Sequence, residues 1–446
     1  MDFQDERTTS RSLPSESEFV VIGAGLAGLA AASTLHRAGR EVIIVERDDS
    51  VGGRVRTDLE DGYVLDRGFQ VLLTAYPEIA RHLDLDALDL RAFLRGVNVW
   101  DSGSFTELSD PRTSLSAVVG GLRTQVLTAS DRVRFLKLAI RLLRSKHGFL
   151  DRADDCSTAD FLKALRFSDR SVEKLWEPLL SGIQLTPSLE GSARLACLIL
   201  RCLVVGPAAV PARGMQEIPD QMAAGLPIES VHLGVEVEKI DGAKVLLSTG
   251  EVTSARRVIV ATEQPAAARL LQEESSQGRA QWHAYFAAAE PPNDSKAIHL
   301  LPSADGPCRN IAIMSNVAPE YAPQGSALIV AAGPTTRSDP PLTEAQQQLD
   351  RVFGSQSESW ELVKQGIVEH AQPMFVPGAT FRRRIQEDCQ IVVAGDHRTT
   401  PSIQGALVSG RLAAQEVLCG QKMDEWSALS LFSAKLKSSC GGRWSE

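Results

Sequence analysis

The feature that most constrains this chain is a glycine-rich turn between an apolar strand and a helix. An apolar run over residues 19–22 predicts a buried strand, and Gly23-Ala24-Gly25-Leu26-Ala27-Gly28 follows it directly. Alanine and leucine then predict a helix over about 26–38, and a second apolar strand covers 42–45. Strand, turn, helix and strand within about thirty residues predict a βαβ unit in a parallel sheet that is covered on both faces.

The turn has the spacing G-x-G-x-x-G of a dinucleotide-binding fold. Gly23 permits the tight turn, and Gly25 lets the backbone approach a pyrophosphate. Gly28 lets the helix pack closely on the strand. The N–H groups of Leu26 and Ala27, at the positive end of the helix dipole, are predicted to face the phosphates. A purely structural role for the turn is the alternative.

A second motif follows the second strand. Glu46 lies at the strand end, where a carboxylate accepts hydrogen bonds from ribose hydroxyls and disfavours the 2′-phosphate of NADP. The chain continues with Arg47, which belongs to the same predicted site, and reaches Gly52-Gly53-Arg54 in the pattern E-x5-G-G-R-x-x-T. This pattern resembles the second signature of flavoproteins built on two dinucleotide-binding motifs. A Gly-Gly turn lets the chain pass close to the pyrophosphate, and Arg54 supplies positive charge to it. The alternative is a surface turn followed by solvated arginines.

Together these motifs resemble those of the superfamily of flavin-containing amine oxidases, phytoene desaturases and carotenoid isomerases, over most of the chain. The resemblance implies an α/β fold, with a Rossmann-like FAD-binding domain and an inserted α+β substrate domain. It implies FAD bound without a covalent link, since no cysteine lies in the 397–410 segment. It also implies further cofactor contacts: Gly68, Phe69 and Gln70 beside the isoalloxazine, Val237 at the adenine through its backbone, Asp396 at the ribityl hydroxyls, and Ile403 and Gln404 at a helix start facing flavin O2 and N1.

Later apolar runs predict strands at 230–233, 235–237, 244–247, 257–261 and 391–394, and a helix over 404–418. The FAD-binding domain is therefore predicted to consist of residues 17–75, 211–265 and 386–420. The substrate domain is predicted to consist of residues 76–210 and 266–385. Residues 1–18 are polar and acidic and are predicted to be a disordered leader, and residues 421–446 a C-terminal tail.

Composition argues against several classes of protein. The net charge is −9 and no long Lys/Arg run occurs, so nucleic acid is not an expected partner. The seven cysteines are scattered without CxxC spacing, which favours reduced thiols and disfavours a metal site. No apolar stretch reaches the roughly 20 residues that cross a bilayer. The expectation is a cytoplasmic protein.

A helix predicted over 130–147 leaves two interpretations open. It can lie peripherally on anionic lipid, or it can be an ordinary substrate-domain helix with a solvated basic face. The sequence places four apolar residues on one face of this helix, Val133, Leu136, Ile140 and Leu143, and four basic residues on the other, Arg134, Lys137, Arg141 and Arg144.

Within the superfamily, the sequence favours oxidation of a hydrophobic, isoprenoid- or carotenoid-like molecule. A hydride would pass from a substrate C–H to flavin N5, with a quinone or dioxygen reoxidising the flavin. An amine substrate is disfavoured, because Ser402 stands where the resemblance implies a tyrosine and the chain has only four tyrosines. The alternatives are an amine oxidase, a reduced-flavin isomerase without net redox, and a non-catalytic FAD-binding protein. No catalytic side chain is assigned.

Overall fold

The computed structural model of the protein describes residues 13–110, 112, 124–144, 155–380 and 390–419. The first twelve residues of the predicted leader, the predicted tail and residues 386–389 lie outside this range. The strands, in chain order, are β1 (Glu16–Ile22), β2 (Val42–Val45), β3 (Thr57–Glu60), β4 (Tyr63–Asp66), β5 (Leu72–Leu73), β6 (Leu90–Ala92), β7 (Gly96–Asp101), β8 (Ser104–Ser109), β9 (Ala208–Pro211), β10 (Val231–His232), β11 (Val237–Asp241), β12 (Lys244–Leu247), β13 (Val252–Val260), β14 (Gly278–Ala288), β15 (Ile298–Leu300), β16 (Asn310–Ile313), β17 (Ala327–Thr335), β18 (Glu361–Pro373) and β19 (Ile391–Val393).

In the described part of the chain, five of the α-helices follow one another without an intervening strand, between Ala129 and Val205, and the others lie between strands or, for the last helix, after the last strand. A π-helical turn over Val172–Trp176 joins two of them. The α-helices are α1 (Leu26–Arg37), α2 (Ile79–His82), α3 (Ala129–Arg144), α4 (Thr158–Ala164), α5 (Asp169–Ser171), α6 (Glu177–Gln184), α7 (Ala193–Val205), α8 (Glu217–Ala224), α9 (Gln264–Leu271), α10 (Met314–Val317), α11 (Leu342–Phe353) and α12 (Ile403–Cys419).

The first large sheet contains the predicted βαβ unit. Its parallel strands run in the order β10-β2-β1-β13. The far edge of β13 pairs in antiparallel fashion with β12, which continues to β11, and pairs in parallel with β19 along its last residues. Each of the three chain segments predicted for the FAD-binding domain contributes strands to this sheet. Helix α1 is almost wholly buried, because its alanines let it lie close to its neighbours.

The second large sheet has the order β18-β14-β17-β16-β15-β7-β8 and is antiparallel except between β15 and β7. All its strands come from the segments predicted for the substrate domain. One apolar core includes Leu29 and Ile259 of the first sheet's layers together with Tyr285 and Val330 of the second sheet. The two sheets therefore share a core, and residues at their junction are held in fixed positions.

Two predictions about this sheet are wrong in detail. Strand β1 begins at Glu16, inside the predicted leader, because β13 is long enough to pair with residues 16 and 17 through Ser254 and Ala255. The predicted strand at 235–237 begins only at Val237. The chain turns at Gly234, where φ is +70°, and the N–H of the next residue donates to the Glu46 carbonyl.

Two features are absent from the described residues. No helix among them combines the length and apolar character that a membrane crossing requires. Nor do those residues bring together three or more His, Cys, Asp or Glu side chains in an arrangement that could hold a metal ion.

Candidate cofactor site

The glycine-rich turn is packed so tightly that two of its glycines are required by the protein itself. Gly23 has φ +100°, a region that favours glycine, and its N–H donates to the carbonyl of Val45 at 2.8 Å. A Cβ on Gly28 would lie 1.9 Å from the Gly23 carbonyl oxygen. These two glycines therefore set the path of the turn and the approach of helix α1.

Gly25 differs, because the protein leaves the space beside it open. A Cβ there would meet only the Gly52 carbonyl oxygen, at 3.9 Å, and φ −70° with ψ 175° suits any residue. Gly25 is the N-cap of α1, and no side chain caps this helix start. The first N–H groups of a helix, here including those of Leu26 and Ala27, have no partner within it. Open space at an uncapped helix N-terminus fits a bound pyrophosphate.

Glu46 lies beneath the turn and fixes its backbone. One carboxylate oxygen accepts the N–H of Ala24 at 2.7 Å, and the other accepts the N–H of Asp48 at 3.0 Å. Burial raises the pKa of Glu46, although these two N–H groups lower it. Because a carboxylate has about four acceptor positions, both oxygens can still accept ribose hydroxyls. Arg47, beside it, is exposed and pairs at 3.9 Å with Glu263.

The second glycine motif lies directly against the first. Gly52 has φ +118°, and its N–H donates to the carbonyl of Ala24 at 2.9 Å. A Cβ on Gly52 would lie 2.4 Å from the carbonyl oxygen of Val55, so only glycine fits. A Cβ on Gly53 would lie 3.5 Å from the Cα of Gly25. The two motifs therefore border one space.

Arg54 joins this space to the C-terminal part of the chain. Its guanidinium donates to the Asp396 carboxylate at 2.7 Å and to the carbonyls of Ala371 at 2.7 Å and His370 at 3.3 Å. Burial lowers the pKa of Arg54, but the charge and hydrogen bond of Asp396 outweigh it and raise the pKa above its usual value. Two predicted site residues 342 positions apart are thus in direct contact, and both carbonyls belong to β18 of the second sheet.

The segment predicted to run beside the isoalloxazine is held by the second sheet. Gly68 has φ +93°, and a Cβ there would lie 2.8 Å from Gln281 Oε1. That oxygen accepts the N–H of Phe69 at 2.9 Å. The Gln70 side-chain amide donates to the carbonyls of Arg54 and residue 67, both at 2.8 Å. Phe69 and Gln70 are both half-buried.

A buried carboxylate that the sequence did not single out anchors this segment. Asp66 accepts hydrogen bonds from the hydroxyls of Thr57 at 2.6 Å and Tyr321 at 2.9 Å, and from the N–H of Met215 at 2.9 Å. Tyr285 donates to its backbone carbonyl at 2.9 Å. Burial raises the pKa of Asp66 to about 6 against these hydrogen bonds. The tyrosines come from distant parts of the chain, so no local motif indicates the cluster.

Helix α12 begins close to α1. A Cβ on Gly410 would lie 2.0 Å from the carbonyl oxygen of Ala27, so the two helices meet backbone to backbone. Ser402 caps the helix start by accepting the N–H of Gly405 at 3.1 Å. Ile403 is the first residue of α12 and is half-buried. The start of α12 lies seven residues before the contact at Gly410, about 10 Å along the helix.

A second unpredicted cluster fixes the orientation of α12. The Gln404 side chain accepts the N–H of Glu78 at 2.9 Å, and the Glu78 carboxylate accepts hydrogen bonds from Arg411. Burial raises the pKa of Glu78, but His82 and Arg411 lower it below its usual value. The Gln404 side chain thus holds the helix in place. Ser402 accepts the N–H groups of Gly405 and Ala406, so the N–H groups of Ile403 and Gln404 are the ones that can face a ligand.

A cavity of about 270 Å³ lies beside Asp396. Its lining includes Phe375, His397 and Thr399, and a narrower cleft that also contains Asp396 extends to Arg54. The predicted adenine residue, Val237, is buried at the start of β11. Hydrogen bonds therefore link the glycine-rich turn to Glu46 and Gly52, and link Arg54 to Asp396 and the second sheet.

Comparison with known proteins gives matches over nearly the whole chain. The family model described as flavin containing amine oxidoreductase matches residues 26–418. A carotenoid phi-ring synthase from Streptomyces griseus is 26% identical over 466 aligned residues, which cover 89% of this chain and 87% of that protein. A putrescine oxidase from Kocuria rosea is 41% identical over 80 residues, which cover 18% of this chain and only 17% of that protein.

A solved structure has the same fold. An oxidoreductase from Methanosarcina mazei superposes with a TM-score of 0.69 at 19% identity, covering 90% of this chain and 100% of that one. The fold and the family match identify the protein as an FAD-dependent oxidoreductase. The chain belongs to the flavin containing amine oxidoreductase family, whose name does not fix the substrate of each member. The predicted superfamily, α/β fold and cofactor are thereby confirmed.

Proposed function

We propose that this protein holds FAD between its two glycine motifs and helix α12 and oxidises a hydrophobic, isoprenoid- or carotenoid-like molecule. Gly25, Gly53 and the first N–H groups of α1 would accommodate the pyrophosphate, with Arg54 supplying positive charge. Glu46 would bind the ribose. Val237 would meet the adenine.

The isoalloxazine end of this proposed site would lie where the two sheets meet. Asp396 would accept the ribityl hydroxyls, and the N–H groups at Ile403 and Gln404 would face flavin O2 and N1, where negative charge develops on reduction. Gly68, Phe69 and Gln70 would border the ring. When bound, FAD supplies a hydride acceptor at N5 and passes electrons on to a quinone or dioxygen. The protein would orient the substrate C–H for transfer of the hydride. No side-chain base is assigned, so the proton lost together with the hydride would pass to water at the site.

The choice of substrate rests on the hydrogen bonds and the burial of the four tyrosines. An amine site framed by tyrosine rings needs tyrosines whose rings are open to a ligand and are not buried in the protein core. All four tyrosine hydroxyls of this chain have structural partners: Tyr63 with Ser326, Tyr76 with Ser402, Tyr285 with the Asp66 carbonyl, and Tyr321 with the Asp66 carboxylate. Three of them are buried.

The relatives support the same choice. The match that covers 89% of the chain is to a protein named for carotenoid chemistry, whereas the match to the putrescine oxidase covers 18%. We also propose a cytoplasmic location, no nucleic acid partner and peripheral contact with a membrane. The last follows from the substrate class, since a long apolar polyene resides in lipid.

Anaerobic reduction of the purified holoenzyme tests the proposal. Detergent-solubilised acyclic polyenes should bleach the yellow absorption of the flavin, and a panel of primary amines and polyamines should not. Readmission of air, or addition of a soluble quinone under nitrogen, should restore the colour and identify the acceptor. Mass spectrometry of apolar material extracted from the purified protein gives a substrate candidate without prior choice.

The alternatives give different results in the same experiment. Bleaching by an amine, with hydrogen peroxide released in air, would replace the proposal by an amine oxidase. A polyene product of unchanged mass, formed only by reduced enzyme, would indicate an isomerase. Bound FAD that no polyene or amine reduces would indicate a binding protein. Acid precipitation should release free FAD into the supernatant, as expected for a non-covalent cofactor.

A further inference from the structure

Helix α3 carries apolar side chains on two opposite faces. Its inner face buries Leu138 and Leu142 in a core that includes Leu200 of α7. The apolar residues that the sequence placed on one face are not the buried ones: Val133, Leu136, Ile140 and Leu143 are 53%, 58%, 44% and 43% exposed.

The exposed apolar surface is concentrated on this one helix. Eleven large apolar side chains are exposed among the described residues, and five of them lie on α3. Four of the five form the outer stripe, and the fifth, Phe135, packs on the inner side against Trp176, with ring centroids 5.6 Å apart. Apolar residues scattered singly over a surface are ordinary, but a contiguous stripe marks an interaction site. The fold satisfies the inner face of α3, so the outer stripe is not needed for the core.

Basic residues border this stripe on both sides. At about 100° per residue, Lys137 and Arg144 fall on one border. Arg132 falls on the other, where it is half-buried and donates to the carbonyl of Thr124 at 2.7 Å. The helix has one acidic residue, Asp131, which is buried and accepts the hydroxyls of Thr128 and Ser168, both at 2.6 Å. The outward surface of α3 is therefore apolar and basic, with no acid on it.

We propose that helix α3 lies flat on a bilayer that contains anionic lipids. The stripe would enter the boundary between headgroups and acyl chains, and the basic borders would meet lipid phosphates. The charge argues for lipid over a second copy of this chain. Two stripes face to face would bring their basic borders together, and like charges at an interface are unfavourable.

Helix α7 connects this surface to the cavity beside Asp396. Near its C-terminal end, Arg201 donates to the carbonyl of Leu142 on α3 at 2.5 Å. At its N-terminal end, Arg194 donates to the carbonyl of Ala379, which lines the cavity, at 2.6 Å. Thirteen residues of helix span about 20 Å. If the substrate is apolar, as proposed above, docking through α3 would hold the cavity this close to the lipid that supplies it.

Vesicle flotation of the full-length holoenzyme tests the surface without any substrate. The yellow flavin absorption of the floated fraction reports the bound protein. Vesicles of phosphatidylcholine mixed with phosphatidylserine should bind the wild type, and vesicles of phosphatidylcholine alone should bind it more weakly. The double variant Leu136→Glu/Ile140→Glu should bind at least about tenfold more weakly to the mixed vesicles. The matched control is Leu59→Glu, which changes an apolar side chain that is 75% exposed on β3 and should bind like the wild type.

Three results would overturn the inference. One is a wild type that does not float with the mixed vesicles. Another is equal loss of binding in the α3 double variant and the Leu59→Glu control. The third is a lipid-free dimer, seen by size-exclusion chromatography, that the double variant converts to a monomer. Flavin absorption and the unfolding temperature of each variant verify that it is folded. Because no substrate is added, failure of lipid binding is distinct from failure of the polyene assay in detergent.

Discussion

Replacement of Gly25 by alanine separates what the cofactor requires from what the fold requires. In the protein alone, the added Cβ meets only the Gly52 carbonyl oxygen, at 3.9 Å, and the backbone angles are open to alanine. Alanine is a poorer N-cap than glycine, but it also reduces the conformational entropy of the unfolded chain, an effect of about 0.4–1 kcal/mol. The two effects oppose each other, so the stability of the apoprotein should change by less than about 1 kcal/mol.

In the FAD-bound protein, the methyl group of alanine at position 25 would contact the cofactor. The proposed pyrophosphate lies against the N-terminus of α1, in the space that the Cβ would enter. Forcing an extra methyl group into a close contact costs about 1–3 kcal/mol. Such a cost raises the dissociation constant of FAD about 5- to 150-fold.

Titration of the apoprotein with FAD, followed by flavin fluorescence, measures this dissociation constant, and thermal unfolding of the apoprotein measures the fold. The matched control is Gly28→Ala. Its Cβ would lie 1.9 Å from the Gly23 carbonyl oxygen, so this substitution should destabilise the apoprotein itself. The reasoning is refuted if Gly25→Ala binds FAD as tightly as the wild type. It is equally refuted if the Gly25→Ala apoprotein loses as much stability as the control.

Three further substitutions examine other parts of the site. Glu46→Gln keeps an acceptor for the Ala24 N–H but removes the charge, so FAD binding should weaken by about 1–3 kcal/mol in the same titration; an unchanged dissociation constant would contradict the ribose role. Asp66→Asn should remove a pH dependence. Because burial raises the pKa of Asp66 from 3.8 to about 6, the folded wild type retains a proton that the unfolded chain has lost. The free energy of unfolding of the wild type should therefore fall, at most on the order of 3 kcal/mol, as the pH rises from about 4 to about 6. Urea unfolding at several pH values measures it, and an equal pH dependence in the wild type and in Asp66→Asn would contradict this. Gly410→Ala places a Cβ 2.0 Å from the Ala27 carbonyl oxygen and should lower the free energy of unfolding by about 1–3 kcal/mol; an unchanged urea midpoint would contradict the close helix contact.

The sequence predicted the local geometry of the two glycine motifs, each of which is contiguous in the chain. The glycine motifs have fixed spacings because a turn, a close backbone approach and a helix start each need particular residues within a few positions. Gly23 and Gly52 both have positive φ, as such turns require. The alternation of apolar runs with turns likewise indicated strands from three segments. Boundaries were less accurate, because the start of β1 depends on the length of its partner β13.

Contacts between distant residues could not be predicted in this way. Asp66 receives hydroxyl groups from residues more than two hundred positions away, and Glu78 pairs with Arg411, 333 positions away. No periodicity or spacing indicates such a pair. The amphipathic pattern of α3 presented a similar difficulty, since it contains two apolar faces and only the packing of Leu138 and Leu142 decides which one is buried.

Arg54 connects the C-terminal part of the cofactor domain to the second sheet. Its guanidinium contacts the carboxylate of Asp396, which follows β19 of the first sheet, and two carbonyls of β18 in the second sheet. If Asp396 also accepts the ribityl hydroxyls, as proposed, its carboxylate would bind the flavin directly and strand β18 through Arg54. Side chains carried by the second sheet can then change without moving the flavin. A cofactor site held in this way beside a second sheet that can differ would allow members of one family to act on different substrates.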